Sequence, residues 1–216
     1  MGPPVFVKFA GLTDNDIYLK ASDKWYKECY DQLYDQEEHL WSRDLGYKLS
    51  PDGAGKKEEN GKKIFWSRGN GWVFGGLAML LNDMPKDDPN RGFYEKIFVD
   101  MAAKLKAIQP EDGGWRSSLL YPEGHSHSES SGTGFYVFGL AYGVRNGYLN
   151  AGEYLPAIKK GWKALLANQQ PDGMIGYVQP IGASPSLQVN QDLWEVYGTG
   201  SFLCAGAEVM KLEIKE

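Results

Sequence analysis

Gly69-Asn70-Gly71-Trp72-Val73-Phe74-Gly75-Gly76-Leu77-Ala78 is the stretch on which the fold turns. Gly132-Thr133-Gly134-Phe135-Tyr136-Val137-Phe138-Gly139-Leu140-Ala141 repeats its pattern, and so does Gly198-Thr199-Gly200-Ser201-Phe202-Leu203-Cys204-Ala205-Gly206-Ala207. The first glycines of the three copies lie 63 and 66 residues apart. A period of that size marks a repeat whose single unit cannot bury its own apolar face. Between copies runs an amphipathic helix pattern, then a turn: Gln109-Pro110-Glu111-Asp112-Gly113-Gly114-Trp115 in one unit, Gln170-Pro171-Asp172-Gly173 in the next. Each unit therefore reads as an inner helix rich in Gly and Ala, an outer helix with one apolar stripe, and a turn or hairpin. Two concentric layers of such helices make an all-α fold, an α/α toroid. An ordinary helical solenoid competes, but it does not predict a glycine pair at the same end of every inner helix, where a central cavity would open.

Immediately before the first copy stand Trp66-Ser67-Arg68. A guanidinium, a carboxamide and two indoles then surround two glycines at a helix mouth. Glycine lets the backbone come close to another group, Arg and Asn make directed hydrogen bonds, and indoles stack on flat apolar surfaces. That set suits a sugar-acid pocket. It equally suits a buried tryptophan pair at a helix-entry turn, and the stretch alone leaves both readings open.

Working outward, residues 3–11 read as the end of a helix begun elsewhere, with Val5, Phe6 and Phe9 apolar and no cap before them, and Thr13-Asp14-Asn15-Asp16 as the N-cap of a second that runs to about Tyr34. Leu40 to Tyr47 and Lys63 to Trp66 read as the two strands of a β-hairpin whose polar tip, Ser50 to Lys63, is mobile. A helix is expected over Asn70–Asn82, stopped by Met84-Pro85. Another follows Asp88-Pro89-Asn90, with Phe93, Ile97, Met101, Leu105 and Ile108 on one face. Glu129–Asn146, closed by Gly147, Glu153–Gln169 and Val196–Leu212 complete the set.

The 216 residues suffice for one sizeable core, read as a single domain over 1–216. A charged fraction of 24% and an apolar fraction of 42% are those of an ordinary soluble globule. The net charge of -5, with no basic stripe, argues against a nucleic-acid partner. No segment approaches the roughly 18 apolar residues of a membrane span. Cys29 and Cys204 have neither metal nor redox spacing and read as free core thiols. Met1-Gly2-Pro3-Pro4-Val5-Phe6 lacks the features of a signal peptide.

Five stretches together resemble glycoside hydrolase family 105, the unsaturated rhamnogalacturonyl hydrolases, with the family 88 unsaturated glucuronyl hydrolases as cousins. They are Glu37-Glu38-His39-Leu40-Trp41-Ser42-Arg43-Asp44, Phe65 to Trp72, Trp115-Arg116-Ser117-Ser118-Leu119-Leu120, Glu129-Ser130-Ser131-Gly132-Thr133-Gly134-Phe135, and Val196-Tyr197-Gly198-Thr199-Gly200-Ser201-Phe202-Leu203. The resemblance spans essentially the whole chain in order. It implies an (α/α)6 barrel, of which about seven helices with short β-hairpins between them are readable here. It also implies a bacterial hydrolase, periplasmic or cytoplasmic, that removes a 4,5-unsaturated uronic acid from the non-reducing end of pectin-derived oligosaccharides. No metal or organic cofactor is implied. In that chemistry one Asp gives and takes the proton while water adds across the enol ether, unlike the paired carboxylates of ordinary glycosidases.

The family's acid/base Asp belongs to a motif resembling Asp-x-x-Phe-Met, and Met1 occupies its last position. The Asp is therefore expected just before residue 1, and the chain matches the C-terminal part of the barrel. Two alternatives follow: a non-catalytic sugar-binding remnant, or an inverting glycosidase that pairs Glu129 with Asp44 or Glu195. An open edge of the barrel would expose inner-helix apolar faces and favour self-association or a partner.

By the resemblance Arg68 lines the pocket as the cation for a uronate, against the alternative of a structural ion pair. Trp72, one turn on, forms a pocket wall, whereas Trp66 reads as core. Asn70 serves as helix cap first and ligand second. Arg43 stands where related enzymes carry a His; it can bind a uronate but cannot shuttle protons at neutral pH, and Asp44 is its natural partner. Trp115, Trp194 and Tyr197 fall at the glycine-pair end, where one or more would line a subsite. His125, His127 and Glu129 have a spacing that admits a metal, but the helix-N-terminal carboxylate is the favoured role of Glu129.

Overall fold

The computed structural model describes residues 2–186 and 188–212. Seven helices are present among them: α1 (Gly2–Thr13), α2 (Ile17–Leu33), α3 (Ser67–Asp83), α4 (Arg91–Ala107), α5 (Ser130–Arg145), α6 (Ala151–Ala167) and α7 (Val196–Lys211). α1, α3, α5 and α7 pack side by side as an inner layer, and α2, α4 and α6 lie against them as an outer one. This is the α/α toroid arrangement read from the repeat.

Glycine sets the inner spacing. A methyl on Gly139 of α5 would fall on the Phe74 ring of α3, and one on Gly134 would fall on Ser201 of α7. α5 is buried at every residue from Ser130 to Gly143. The core continues outward through Phe74, stacked on Phe98 at 4.8 Å, and through Tyr94, Met101 and Leu105 of α4. At the far end of α3, buried Arg91 donates to the carbonyls of Met84 and Leu81 and so satisfies the last turn of that helix. Gly147 adopts φ +77° just after α5, as a C′ glycine should. Exposed apolar side chains gather on α1 (Val5, Leu12) and α7 (Leu203, Met210).

The hairpin differs from expectation. β1 (Tyr34–Asp35) pairs antiparallel with β2 (Leu40–Trp41), with Tyr34 opposite Trp41. Its turn closes because the Asp35 carboxylate accepts from the amides of Glu37 and Glu38, and His39 takes the left-handed φ of +53°. Leu45–Tyr47 is a 3-10 turn, started by Asp44 accepting from the Gly46 amide. Phe65 to Ser67 pair instead with Ser117 to Leu119, about fifty residues later in the chain. No local pattern announces that partner. The polar excursion is docked: Asn60 donates to the Leu120 carbonyl, and Tyr121 donates to Glu59. At the start of α2, Asn15 and not Asp16 supplies the side-chain acceptor, for the Ile17 amide.

Both cysteines are free, but Cys29 is exposed and Cys204 only half-buried, so neither is a core thiol. Trp162 is half-buried and stacks on Phe202 at 5.1 Å.

Candidate functional site

The starts of α3, α5 and α7 meet at one end of the fold, and a single glutamine ties them together. Gln179 is buried in the loop ahead of α7. Its amide donates to Glu129 at the start of α5, and its side-chain oxygen accepts from the Trp66 indole. Its carbonyl accepts from Arg68 of α3 and from the Tyr197 hydroxyl of α7. Nothing in the local sequence singles this residue out.

α3 begins at Ser67, three residues earlier than its pattern predicts, because the Ser117 carbonyl takes the Ser67 amide and Trp66 stays extended. The earlier start turns the polar residues of the opening stretch inward. Arg68 is 4% exposed, its guanidinium lies between the Trp66 and Tyr197 rings at 4.6 and 4.5 Å, and it also donates to the Pro180 carbonyl. Planar stacking with a forked donor set is what Arg does better than Lys. The expected pocket cation therefore anchors a loop, and its partners are carbonyls and rings with no carboxylate among them.

Asn70 is likewise occupied. Its side-chain oxygen accepts from the Trp41 amide and its NH2 donates to the Trp41 and Trp66 carbonyls, clamping β2 to α3. Trp115 is core, donating to the Leu105 carbonyl and packing edge-on to Tyr136. Neither residue is on the lining of the cavity between α1, α2 and α3. Tyr197 serves the Gln179 hub, and Trp194 is exposed.

Glu129 caps α5. Its two oxygens accept from the amides of Ser131, Gly132 and Gln179 and from the Ser131 hydroxyl, at zero exposure. A carboxylate so enclosed does not reach a substrate, which removes the proposed pairs with Asp44 or Glu195. His125 bonds to the Ser186 carbonyl at 3.1 Å, and burial holds its imidazole below the ordinary pKa. His127 packs on Tyr177. Among the described residues no three metal-ligating side chains come together.

The open space lies beside these residues. A cavity of about 410 Å³ is enclosed by the start of α1 (Pro3, Pro4), α2 (Ser22, Tyr26), β2 with its continuation, and α3. Trp66, Trp72 and Trp25 are its aromatic walls, so Trp66 is wall and not core. Trp72 is held by Phe135 of α5, 4.3 Å between ring centroids. Arg43 is the one charged side chain on the lining among the described residues. It is exposed, pairs with Asp44 at 2.7 Å as expected, and lies 5.7 Å from the Tyr47 ring. Of the residues read from sequence, Arg43 and Trp72 thus share the cavity; Arg68, Asn70 and Tyr197 build its frame. The structure adds Ser22 and Tyr26, which lie in an ordinary helix pattern, and Trp41, which stands in the Glu37–Asp44 stretch but to which the sequence assigns no role.

The model of Glycosyl Hydrolase Family 88 matches residues 1–213. A protein of Formosa agariphila named unsaturated 3S-rhamnoglycuronyl hydrolase is 53% identical over 99% of this chain and 56% of its own length. One of the same name from an Alteromonas species is 35% identical over 97% of this chain and 49% of its own. The chain thus spans about half the length of these curated relatives. The solved structure of a glycosyl hydrolase family 88 protein from Bacteroides vulgatus superimposes with a TM-score of 0.91, at 37% identity over 97% of this chain and 60% of that one.

Proposed function

The chain belongs to Glycosyl Hydrolase Family 88, and on that premise we propose that the whole protein hydrates an unsaturated uronic acid linked to rhamnose and so releases it. The observation that carries the reading is the cavity itself, with flat indole walls and one cation at its edge. The carboxylate of a uronate takes the Arg43 guanidinium in a charge-assisted pair, in exchange for the exposed contact with Asp44, which is worth little in water. Trp66 and Trp72 flank the ring. Relatives named for rhamnoglycuronyl substrates favour that linkage over the pectin-type one expected from the sequence.

Protonation of the enol ether carbon leaves an oxocarbenium that water captures; the hemiketal then opens and the aglycone departs. The step needs a single carboxyl that gives and regains a proton. No Asp or Glu lines the cavity among the described residues. The resemblance gives the acid/base role to the Asp of the family's Asp-x-x-Phe-Met motif. The same observation supports a second reading, in which the 216-residue chain alone binds sugar without turnover.

The conjugated enol ether absorbs in the ultraviolet, and hydration erases the band. Loss of absorbance is expected with unsaturated glucuronyl-rhamnose and the full-length protein. Arg43→Gln should raise KM about tenfold with little change in kcat, the mark of lost ground-state binding. Unchanged absorbance with both glucuronyl- and galacturonyl-rhamnose would overturn the reading.

A further inference from the structure

Trp25, Trp41, Trp66 and Trp72 line the cavity. Among the described residues only Trp66 has its indole N–H hydrogen-bonded to protein; the acceptor is Gln179 Oε1 at 3.1 Å, 113 residues along the chain. Trp72 rests on the Phe135 ring, and the Trp41 indole nitrogen has no partner. One wall of the cavity is thus held by a side chain that is not itself on the lining.

The hold is directional. Gln179 is buried, its Oε1 also accepts from the Ser186 amide at 3.2 Å, and its Nε2 donates to the Ser184 carbonyl at 2.7 Å. Two N–H donors on one side and a carbonyl on the other leave the carboxamide one orientation, oxygen towards the indole. The Arg68 guanidinium lies over the same ring at 4.6 Å, and the Trp66 main chain is extended and bridged to Ser118. Turning the ring would break the Gln179 bond and strand the N–H. The main chain of Gln179 has a separate role: its amide reaches Glu129, and its carbonyl takes Arg68 and the Tyr197 hydroxyl. A side-chain substitution keeps those backbone bonds, so the frame is separable from the contact with Trp66.

We propose that Gln179 is a positioning residue for substrate binding: its carboxamide fixes the plane of the Trp66 indole and so sets how well the cavity stacks a sugar ring. The flat C–H face of a sugar lies on an indole only when the two planes match. An indole freed of its acceptor samples other orientations, and restricting it again on binding weakens affinity. The inference rests on the sugar-binding reading of the cavity. It does not require the chain to turn a substrate over.

The test uses the 216-residue chain with Gln179→Met, Trp66→Phe, the double variant and Gln179→Glu. Each is titrated calorimetrically with unsaturated glucuronyl-rhamnose, and its indole N–H resonances are recorded without ligand. Trp66→Phe identifies the Trp66 resonance by its loss. Gln179→Met should move that resonance upfield, speed its exchange, and weaken the disaccharide about threefold to tenfold, the worth of one hydrogen bond. In the Trp66→Phe background the same change should alter affinity by less than about twofold, because a phenyl ring has no N–H to hold. Gln179→Glu keeps an oxygen at the indole; it should leave the resonance in place and bind within about twofold of the parent. It carries the test if Gln179→Met does not fold, and weakened binding with the resonance in place would then overturn the proposal. An indole resonance indifferent to Gln179→Met would overturn it too. So would an equal loss of affinity in both backgrounds, which would make the side chain a support of its loop alone, or no disaccharide binding by the parent chain. Normal hydration by the full-length protein alongside unaffected variants sinks this inference alone. Failed hydration with weakened, Trp66-dependent binding sinks only the proposed reaction.

Discussion

Gly132-Thr133-Gly134 and Gly198-Thr199-Gly200 are the same tripeptide at the first turn of two neighbouring inner helices. In α5 it is sealed. Thr133 accepts from the Trp115 amide at 3.1 Å, and a methyl on either glycine would strike Ser67 or Ser201. In α7, Gly198 faces Val178, but Thr199 is exposed and nothing lies within 4 Å of where a Gly200 Cβ would stand. The acids ahead of them diverge as well: Glu129 caps α5 with four accepted bonds, whereas Glu195 makes no side-chain cap. The repeat puts its first glycine at the third residue of each inner helix that carries it. What each glycine and each acid is for depends on how many neighbours the helix has.

The difference can be broken at three places. The largest effect is expected at the acids. Glu129→Ala strands three buried amides and a hydroxyl and should cost about 3 kcal/mol or more; Glu195→Ala should stay within about 0.5 kcal/mol. Urea midpoints of the two variants measure this, and equal losses would mean that the enclosure of Glu129 is not what stabilises α5.

Next come the glycines. Gly134→Ala forces a methyl into Ser201 and should destabilise by about 2 kcal/mol through overpacking. Gly200→Ala gains helix propensity at no steric cost and should stabilise by about 0.5–1 kcal/mol. Opposite shifts in melting temperature are the expected result.

The smallest effect lies at the seam between the two helices, where Arg145 of α5 donates to Glu208 of α7. Burial pushes the Glu208 carboxyl up, but the bonds and charges of Arg145 and Lys211 outweigh it and hold the pKa below the ordinary glutamate value. A depressed carboxylate contributes stability above its unfolded pKa, and the contribution is lost as pH falls through the folded value. The chain should therefore weaken below about pH 4.5. Arg145→Gln should flatten that slope by an amount on the order of 1 kcal/mol, read from urea midpoints between pH 6 and 3.

The helices were legible because their signals are local: apolar spacing, caps, the stop at Met84-Pro85 and the glycine after α5. The hairpin was not, since Phe65 to Ser67 find their partner after Trp115 and the choice between strand partners is made in three dimensions. Arg68 shows the same limit at the site. Its type and motif fit a uronate, but only the fold could reveal that Trp66, Tyr197 and two carbonyls of a later loop already hold it.

By itself the sequence determined the repeat, the two-layer helical plan and the end at which the inner helices open, because periodicity and glycine placement act within a few residues of themselves. Tertiary structure alone decided which polar groups are spent on the frame and which face the cavity. Hydrogen-bond satisfaction is a property of the whole neighbourhood: Gln179, far along the chain, is the residue that occupies Arg68 and leaves Arg43 as the charge at the cavity edge.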